Sequence, residues 1–377
     1  MPASDSPRTH RPVAPPAVPA RAAADERARP TARTTFRSTL RTTSRAGALR
    51  RLGLWLVLAV VVAVLSIVSP TFRSTFNLQN VLEQNALIGV VACGMTIMMI
   101  SGGFDLSVGA TGATAAVTGA AVANLGWGTV PTVAAALLVG LVVGLVNGVL
   151  IARLRINAFV TTFAMASVVL GLLFVSTGAQ SIPGGTPALQ WAATGRLGPV
   201  PVSFVLFAAC LLVVWLLLTR TKFGHYVHAV GGNAQASRLS GVPVELVQIA
   251  SFALGGVFAS AGGLILLGQT SVGQPSAAAD WPLRAIAVCV VGGVALTGGV
   301  GRIEDVLAAT LLLGVIANGM NQLGIASDWQ PIVTGLVILV AVVLDQHSRR
   351  KRVTAPAPAP APAATPSPAT GTAPRTS

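Results

Sequence analysis

Between Leu52 and Leu344 long apolar runs alternate with short polar breaks. A helix that crosses a bilayer needs about 20 mostly apolar residues, with a range of about 17 to 25. Ten runs approach that length: residues 52–69, 84–101, 106–124, 130–151, 158–177, 200–218, 247–268, 284–299, 305–322 and 329–345. The pattern predicts an all-α polytopic membrane protein with about ten transmembrane helices. An even number of spans puts both ends on one face and allows inverted five-helix halves. The echo between ISGGFDLSVGA (100–110) and LTGGVGRIEDV (296–306) is one span out of phase with such halves. LLVGLVVGLVNG (137–148) and LGGVFASAGG (254–263) carry the small residues that let membrane helices approach closely.

Composition agrees. Charged residues make up 10% of the chain against roughly 25% in soluble domains, and apolar residues 53%, with a mean hydropathy of +0.73. The net charge of +14 sits mostly in the tails. Residues 1–50 read as a disordered basic cytoplasmic tail, 51–346 as a transmembrane domain, and 347–377 as a disordered Ala/Pro-rich cytoplasmic tail. The base clusters abut apolar spans, as topogenic charge does, and we read no nucleic-acid partner from them. Arg50-Arg51 precedes an apolar run as in a twin-arginine signal, yet no small-residue cleavage site follows, so the run reads as a first anchor. With the N-terminus inside, Arg153, Arg155, Arg220, Lys222, Arg238 and Arg302 fall on the cytoplasmic side. Arg73, Arg196 and Arg284 then fall outside.

The longest polar interruption is 219–246, TRTKFGHYVHAVGGNAQASRLSGVPVEL. Asn233 can cap a helix, Ala234 to Ser240 are good helix formers, and Gly241 with Pro243 stops it. The spacing predicts a two-turn peg between flexible joints at Gly231-Gly232 and Gly241. A peg that docks on a soluble partner and an ordinary loop helix both fit.

Asp105 lies between two apolar stretches, behind a helix break at Gly102-Gly103, with Ser107 placed to cap the next helix. It can belong to a translocation pathway or to a plain cytoplasmic turn. Gln84, Asn85, Asn147, Asn318 and Asn321 are amides in or beside apolar spans; they suit sugar hydroxyls, and equally suit interhelical hydrogen bonding. No metal site is expected: His225 and His228 lack partners at ligand spacing, and Cys93, Cys210 and Cys289 lie singly in apolar runs. The only lysines, Lys222 and Lys351, fit no Walker A loop, so no cofactor is expected in this chain.

HAVGGNAQASRLSGVPV, preceded by TRTKFGHYV, resembles the coupling-loop region of permease subunits of ribose/xylose-type bacterial ABC sugar importers. SGGFDLSVGA, GGVALTGGVGRI, NGMNQLG and a last span ending VVLD are similar to other segments of that family, in order, over roughly 75–345. The resemblance implies the ABC importer permease fold. It also implies a second permease subunit, identical or different, ABC ATPase subunits that bind ATP and Mg, and a periplasmic or lipid-anchored sugar-binding protein. The setting it implies is the bacterial plasma membrane, spanned many times amid membrane lipid, with both termini cytoplasmic. By resemblance, Gly232, Asn233, Ala236, Arg238, Leu239, Ser240 and Gly241 couple to the ATPase. Asp105, Leu106, Ser107 and Gly109 match the early motif. WPLRAIA departs from the pattern: relatives usually carry an acidic residue or two before AIA, where Pro282 and Arg284 stand, and Ala295 replaces a frequent Ser.

The function expected is a permease that moves a monosaccharide with ATP hydrolysed elsewhere and performs no covalent chemistry. The alternatives are an ion-coupled secondary transporter working through Asp105, a membrane scaffold acting through its basic tails, and an ABC permease for a nucleoside, polyol or furanose signalling molecule.

Overall fold

A computed structural model describes residues 52–337, 339, 340 and 343. Both predicted tails lie outside the described residues. The first five helices are α1 (Leu52–Val68), α2 (Thr75–Ile100), α3 (Val108–Asn124), α4 (Thr129–Ala152) and α5 (Ala158–Thr177). The connection after them holds β1 (Ile182–Pro183), α6 (Pro187–Thr194), β2 (Arg196–Leu197) and β3 (Val200–Pro201). There follow α7 (Val202–Arg220), α8 (Lys222–Gly232), α9 (Ala234–Leu239), α10 (Val244–Thr270), β4 (Val272–Gly273), α11 (Trp281–Val291) and α12 (Ile303–Gln322). A last helix, α13, starts at 330. β1 pairs antiparallel with β4, and β2 with β3.

Each predicted span overlaps a helix among the described residues, 284–299 over its first half only, and among those residues α2, α4, α5, α7, α10 and α12 are both long and apolar enough to cross a membrane by length and composition. The predicted span 284–299 is corrected by the structure. It is an 11-residue helix, α11, followed by turns through Gly292, Gly293, Gly298 and Gly299 and preceded by a largely non-helical arm, 271–280. That arm runs beside α3: Gly273 packs on Val117, and Ala278 lies against Gly109. Irregular backbone at such depth is tolerated where protein covers it.

The helices sort by burial in an order set by lipid. In their most apolar stretches α4, α5 and α7 are only 22–28% buried, whereas the less apolar α2 is 83% buried. Apolar side chains facing lipid cost nothing, so the interior goes to the helix with small and polar groups. Every residue of α2 from Asn85 to Ile100 is buried, enclosed by α7, α10, α11 and α12. The closest pairing is α4 on α10. Gly140, Gly144 and Gly148 face it, and a Cβ on Gly144 would stand 2.9 Å from Ala253 Cα. The small-residue runs therefore do bring backbones together.

Contacts along the helices fix their directions. Gly94 of α2 meets Gly255 of α10, and Gly148 of α4 meets Ile249, so both run antiparallel to α10. Gly119 of α3 meets Leu267, a parallel course. One end of the fold thus collects the C-termini of α2, α4 and α7, the N-termini of α3, α10 and α12, and α8 and α9. Arg153, Arg155, Arg220, Lys222, Arg238 and Arg302 are all at this α9 end, as the charge pattern grouped them. Arg73 and Arg196 are at the opposite end, near the start of α2. Arg284 is not in an outer loop as expected; it lies within α11.

Candidate coupling and translocation sites

At the α9 end the polar loop holds more structure than its sequence predicted. Thr221 caps α8, its Oγ1 accepting from Gly224 N (3.2 Å), and α8 runs on for eleven residues to Gly232. Gly231-Gly232 is therefore no flexible joint: both residues belong to α8, and Gly231 is wedged against the Ile100 carbonyl and Gly299. Asn233 does cap α9, its Oδ1 accepting from Ala236 N (2.9 Å). Gly241 takes φ +81°, the left-handed stop. Ser240 bonds back to the Ala236 carbonyl, and Arg238 lies 3.5 Å from Glu245. Gly232, Asn233, Ala236, Arg238, Leu239, Ser240 and Gly241 are all exposed, Leu239 by 85%. Within α9 only Ser237 is buried, so the short helix presents nearly its whole surface outward.

Behind α9 three backbones meet. Gly299 N donates to the Ile100 carbonyl (2.8 Å), and Gly298 lies against Gly102 and Gly231. The end of α8, the end of α2 and the turn after α11 are thus joined with no side chains between them.

Asp105, Ser107 and Asn147 form one buried cluster at the same end. Asp105 Oδ1 accepts from Ser107 N and Ser107 Oγ (2.6 Å each), while Asn147 Nδ2 donates to Ser107 Oγ (2.9 Å) and Asp105 Oδ2 (3.3 Å). The expectation that Ser107 caps α3 is corrected: it occupies the cap position, but its hydroxyl goes to Asp105. Nor is Asp105 a turn residue in water, since it is 1% exposed. The carboxylate takes donors from the chain entering α3 and from α4, locking the two together.

The other amides are scattered. Asn318 on α12 and Asn77 on α2 exchange bonds in both directions (2.9 Å each), and Gln322 adds a third to Asn77 (2.7 Å). That is interhelical bonding. Asn321 is exposed and accepts from Gln330 (2.9 Å); Gln84 is exposed on α2. Asn85 alone among the candidates lines a cavity of about 250 Å³ between α2, α11, α12 and α13. Its Nδ2 donates to the Val81 carbonyl (2.6 Å), and its side chain lies on Gly314 of α12. The cavity's further polar lining, Asp280, Arg284, Thr310, Gln330 and Thr334, was missed from the sequence. An acid and a base four residues apart around Trp281-Pro282 were the available signal.

A family model described as the permease component of the branched-chain amino acid transport system matches residues 77–342. The ribose import permease protein RbsC of Escherichia coli K12 is 37% identical over 298 residues, 78% of this chain and 93% of that one. The L-arabinose transport system permease protein AraH of the same strain is 39% identical over 304 residues, 80% and 92% of the two chains. The chain belongs to the permease family of bacterial ribose-type ABC importers. The galactose/methyl galactoside import permease protein MglC of Salmonella typhimurium LT2 is likewise 35% identical over 320 residues, covering 79% and 95%. No solved structure matches the permease. As in its relatives, the permease is a transport subunit and not an enzyme, and hydrolysis of ATP falls to a separate subunit.

Proposed function

We propose that this permease carries a monosaccharide, or a close polyhydroxylated relative, across the bacterial plasma membrane, driven by ATP bound with Mg on a separate ATPase. The observation that carries this reading is near-full-length similarity to import permeases whose cargoes are ribose, L-arabinose and galactose. In this reading the α9 end faces the cytoplasm, with both termini on that side. A sugar-binding protein delivers solute at the opposite end, and a second permease, identical or not, completes the pore.

The mechanism follows from what is rigid. α9, exposed and capped at Asn233, docks in a groove of the ATPase, and Gly232 to Gly241 form the contact. When two ATPases close, each α9 moves with its host. α8 is continuous up to that cap, so displacement passes to the glycine junction of Ile100, Gly231 and Gly299. There it reaches α2 and the turn that ends α11, and the pore changes the side to which it opens. A neutral cargo requires no counter-charge at membrane depth, in keeping with an acid, Asp105, that is committed to Ser107 and Asn147.

The test is reconstitution in liposomes with the ATPase and the binding protein, measuring uptake of D-ribose, L-arabinose and D-galactose. Uptake is expected to require ATP and to vanish with a hydrolysis-dead ATPase. Uptake that persists with the dead ATPase, or transport by this chain alone that is lost in Asp105→Asn, refutes the reading and supports an ion-coupled carrier. Competition by L-leucine in place of the sugars moves the cargo to the class in the family model's description.

A further inference from the structure

The cavity between α2, α11, α12 and α13 has a donor and acceptor balance that its neighbours set. Asn85 donates one amide N–H to the Val81 carbonyl, which leaves its Oδ1 and its second N–H open. Gln330 donates one Nε2 N–H to Asn321, which leaves its Oε1 and its second N–H open. Thr310 has given its hydroxyl proton to the Val306 carbonyl (2.8 Å) and keeps lone pairs. Residues with open acceptors thus line one space from three separate helices. The charged groups are Asp280 and Arg284, paired at 3.3 Å one turn apart, so their charges cancel while most of the guanidinium's five N–H donors stay uncommitted. Ile88, Leu283, Val288, Leu313 and Pro331 supply the apolar walls.

We propose that this cavity is a solute-contact site of the permease and that the Asp280–Arg284 pair makes it select uncharged polyhydroxyl solutes. Hydroxyl groups donate to Asn85 Oδ1, Gln330 Oε1 and Thr310, and accept from Arg284, while the C–H faces of a sugar ring lie on the apolar walls. A solute with a carboxylate is repelled by Asp280, and one with an ammonium is repelled by Arg284, so either disturbs the pair. An uncharged solute leaves the pair intact. The assignment rests on the importer reading and adds to it a place and a charge rule for the cargo.

The test is labelling in the assembled importer in liposomes. Thr334→Cys, on a Cys210→Ala background, places a thiol in the cavity, and its modification by a small neutral thiosulfonate is timed with and without solute. With Asp280 and Arg284 in place, D-ribose, L-arabinose or D-galactose is expected to slow labelling, whereas D-galacturonate and D-galactosamine are not. In Asp280→Asn galacturonate becomes protective, and in Arg284→Gln galactosamine does. Arg284→Gln also raises the concentration of neutral sugar for half-protection by about tenfold, as loss of a charge-assisted hydrogen bond does. Absence of protection by any solute, or one pattern shared by all three forms, overturns the site. If the unsubstituted importer takes up sugar with ATP while Thr334→Cys is unprotected, the cavity assignment fails alone. Protection by L-leucine with no sugar uptake refutes the importer's cargo as well.

Discussion

Gly231 and Gly232 are adjacent, both helical, and in opposite surroundings, which makes them a sharp test of the junction behind α9. A Cβ on Gly231 would lie 2.5 Å from Gly299 N and nearer still to the Ile100 carbonyl oxygen; on Gly232 it would meet nothing within 4 Å. Carbon and oxygen rest at about 3.3–3.6 Å even in their closest favourable contacts, so Gly231→Ala must open the junction by about 1 Å or more. That movement breaks the hydrogen bond from Gly299 N to Ile100, worth about 0.5–1.5 kcal/mol, and adds an overpacking cost of about 1–3 kcal/mol. The expected total is about 2–4 kcal/mol. Gly232→Ala meets no such barrier and gains up to about 1 kcal/mol of helix propensity. Thermal unfolding of the purified permease, read by a thiol-reactive dye at buried Cys93 and Cys289, separates the two. Gly231→Ala should unfold at lower temperature and Gly232→Ala at an equal or higher one. In liposomes Gly231→Ala should also take up less solute per ATP hydrolysed. Equal midpoints with equal uptake for both variants would refute the junction as a tight mechanical contact.

Loss of the α9 cap in Asn233→Ala should cost about 1 kcal/mol locally and weaken stimulation of the ATPase, with little change in the unfolding midpoint of the whole permease; an unchanged ATPase response counts against a preformed docking helix. Asn318→Leu leaves Asn77 without a partner it both donates to and accepts from and should destabilise by about 1–3 kcal/mol, while Asn77→Leu with Asn318→Leu recovers part of that; additive losses in the cycle speak against the pair. Asp105→Ala strands the donors of Ser107 and Asn147 and should destabilise by about 1–3 kcal/mol without altering how uptake varies with pH; a changed pH profile would place Asp105 on an ion path. Gly144→Leu should prevent stable folding, because its Cβ alone would stand 2.9 Å from Ala253 Cα; normal expression with wild-type unfolding refutes the α4–α10 contact.

The sequence showed the membrane helices well because lipid imposes one rule on all of them, a long apolar run. It was least informative where protein, not lipid, surrounds the chain. Residues 284–299 are as apolar as a span, yet α11 stops at Val291, because hydropathy cannot distinguish a helix in lipid from turns buried in protein. α8 was hidden for the opposite reason: it is polar enough to read as loop, and only the Thr221 cap marks its start. The cap at Asn233 and the stop at Gly241 were legible because each depends on neighbours three or four residues away. The amides were not, since the partner of Asn318 lies 241 positions earlier and that of Asn147 sits on the chain entering α3. Arg284 stood out as a departure from the family pattern, but its place in a cavity beside Asp280 required the fold.

Two rods connect the junction at Ile100 to the cavity. One is α2, whose Ile100 carbonyl accepts from Gly299 and whose Asn85 reaches the cavity about 22 Å up the helix at 1.5 Å per residue. The other is α11, which runs from Asp280 and Arg284 down to the turn that contains Gly299. They touch midway, where Cys289 Sγ lies 3.4 Å from Thr96 Oγ1 and 3.6 Å from the Ala92 carbonyl. A close-packed interior transmits such displacements instead of absorbing them. In the proposed cycle, movement of α8 against the junction acts on both walls of the cavity, and the walls need only shift unequally for its width to change. The expectation is that labels at Gln84→Cys on α2 and Leu283→Cys on α11, both exposed, change their separation between nucleotide-free and ATP-bound importer. A fixed separation through the cycle would mean that the cavity does not gate, and that solute passes elsewhere in the assembled pore.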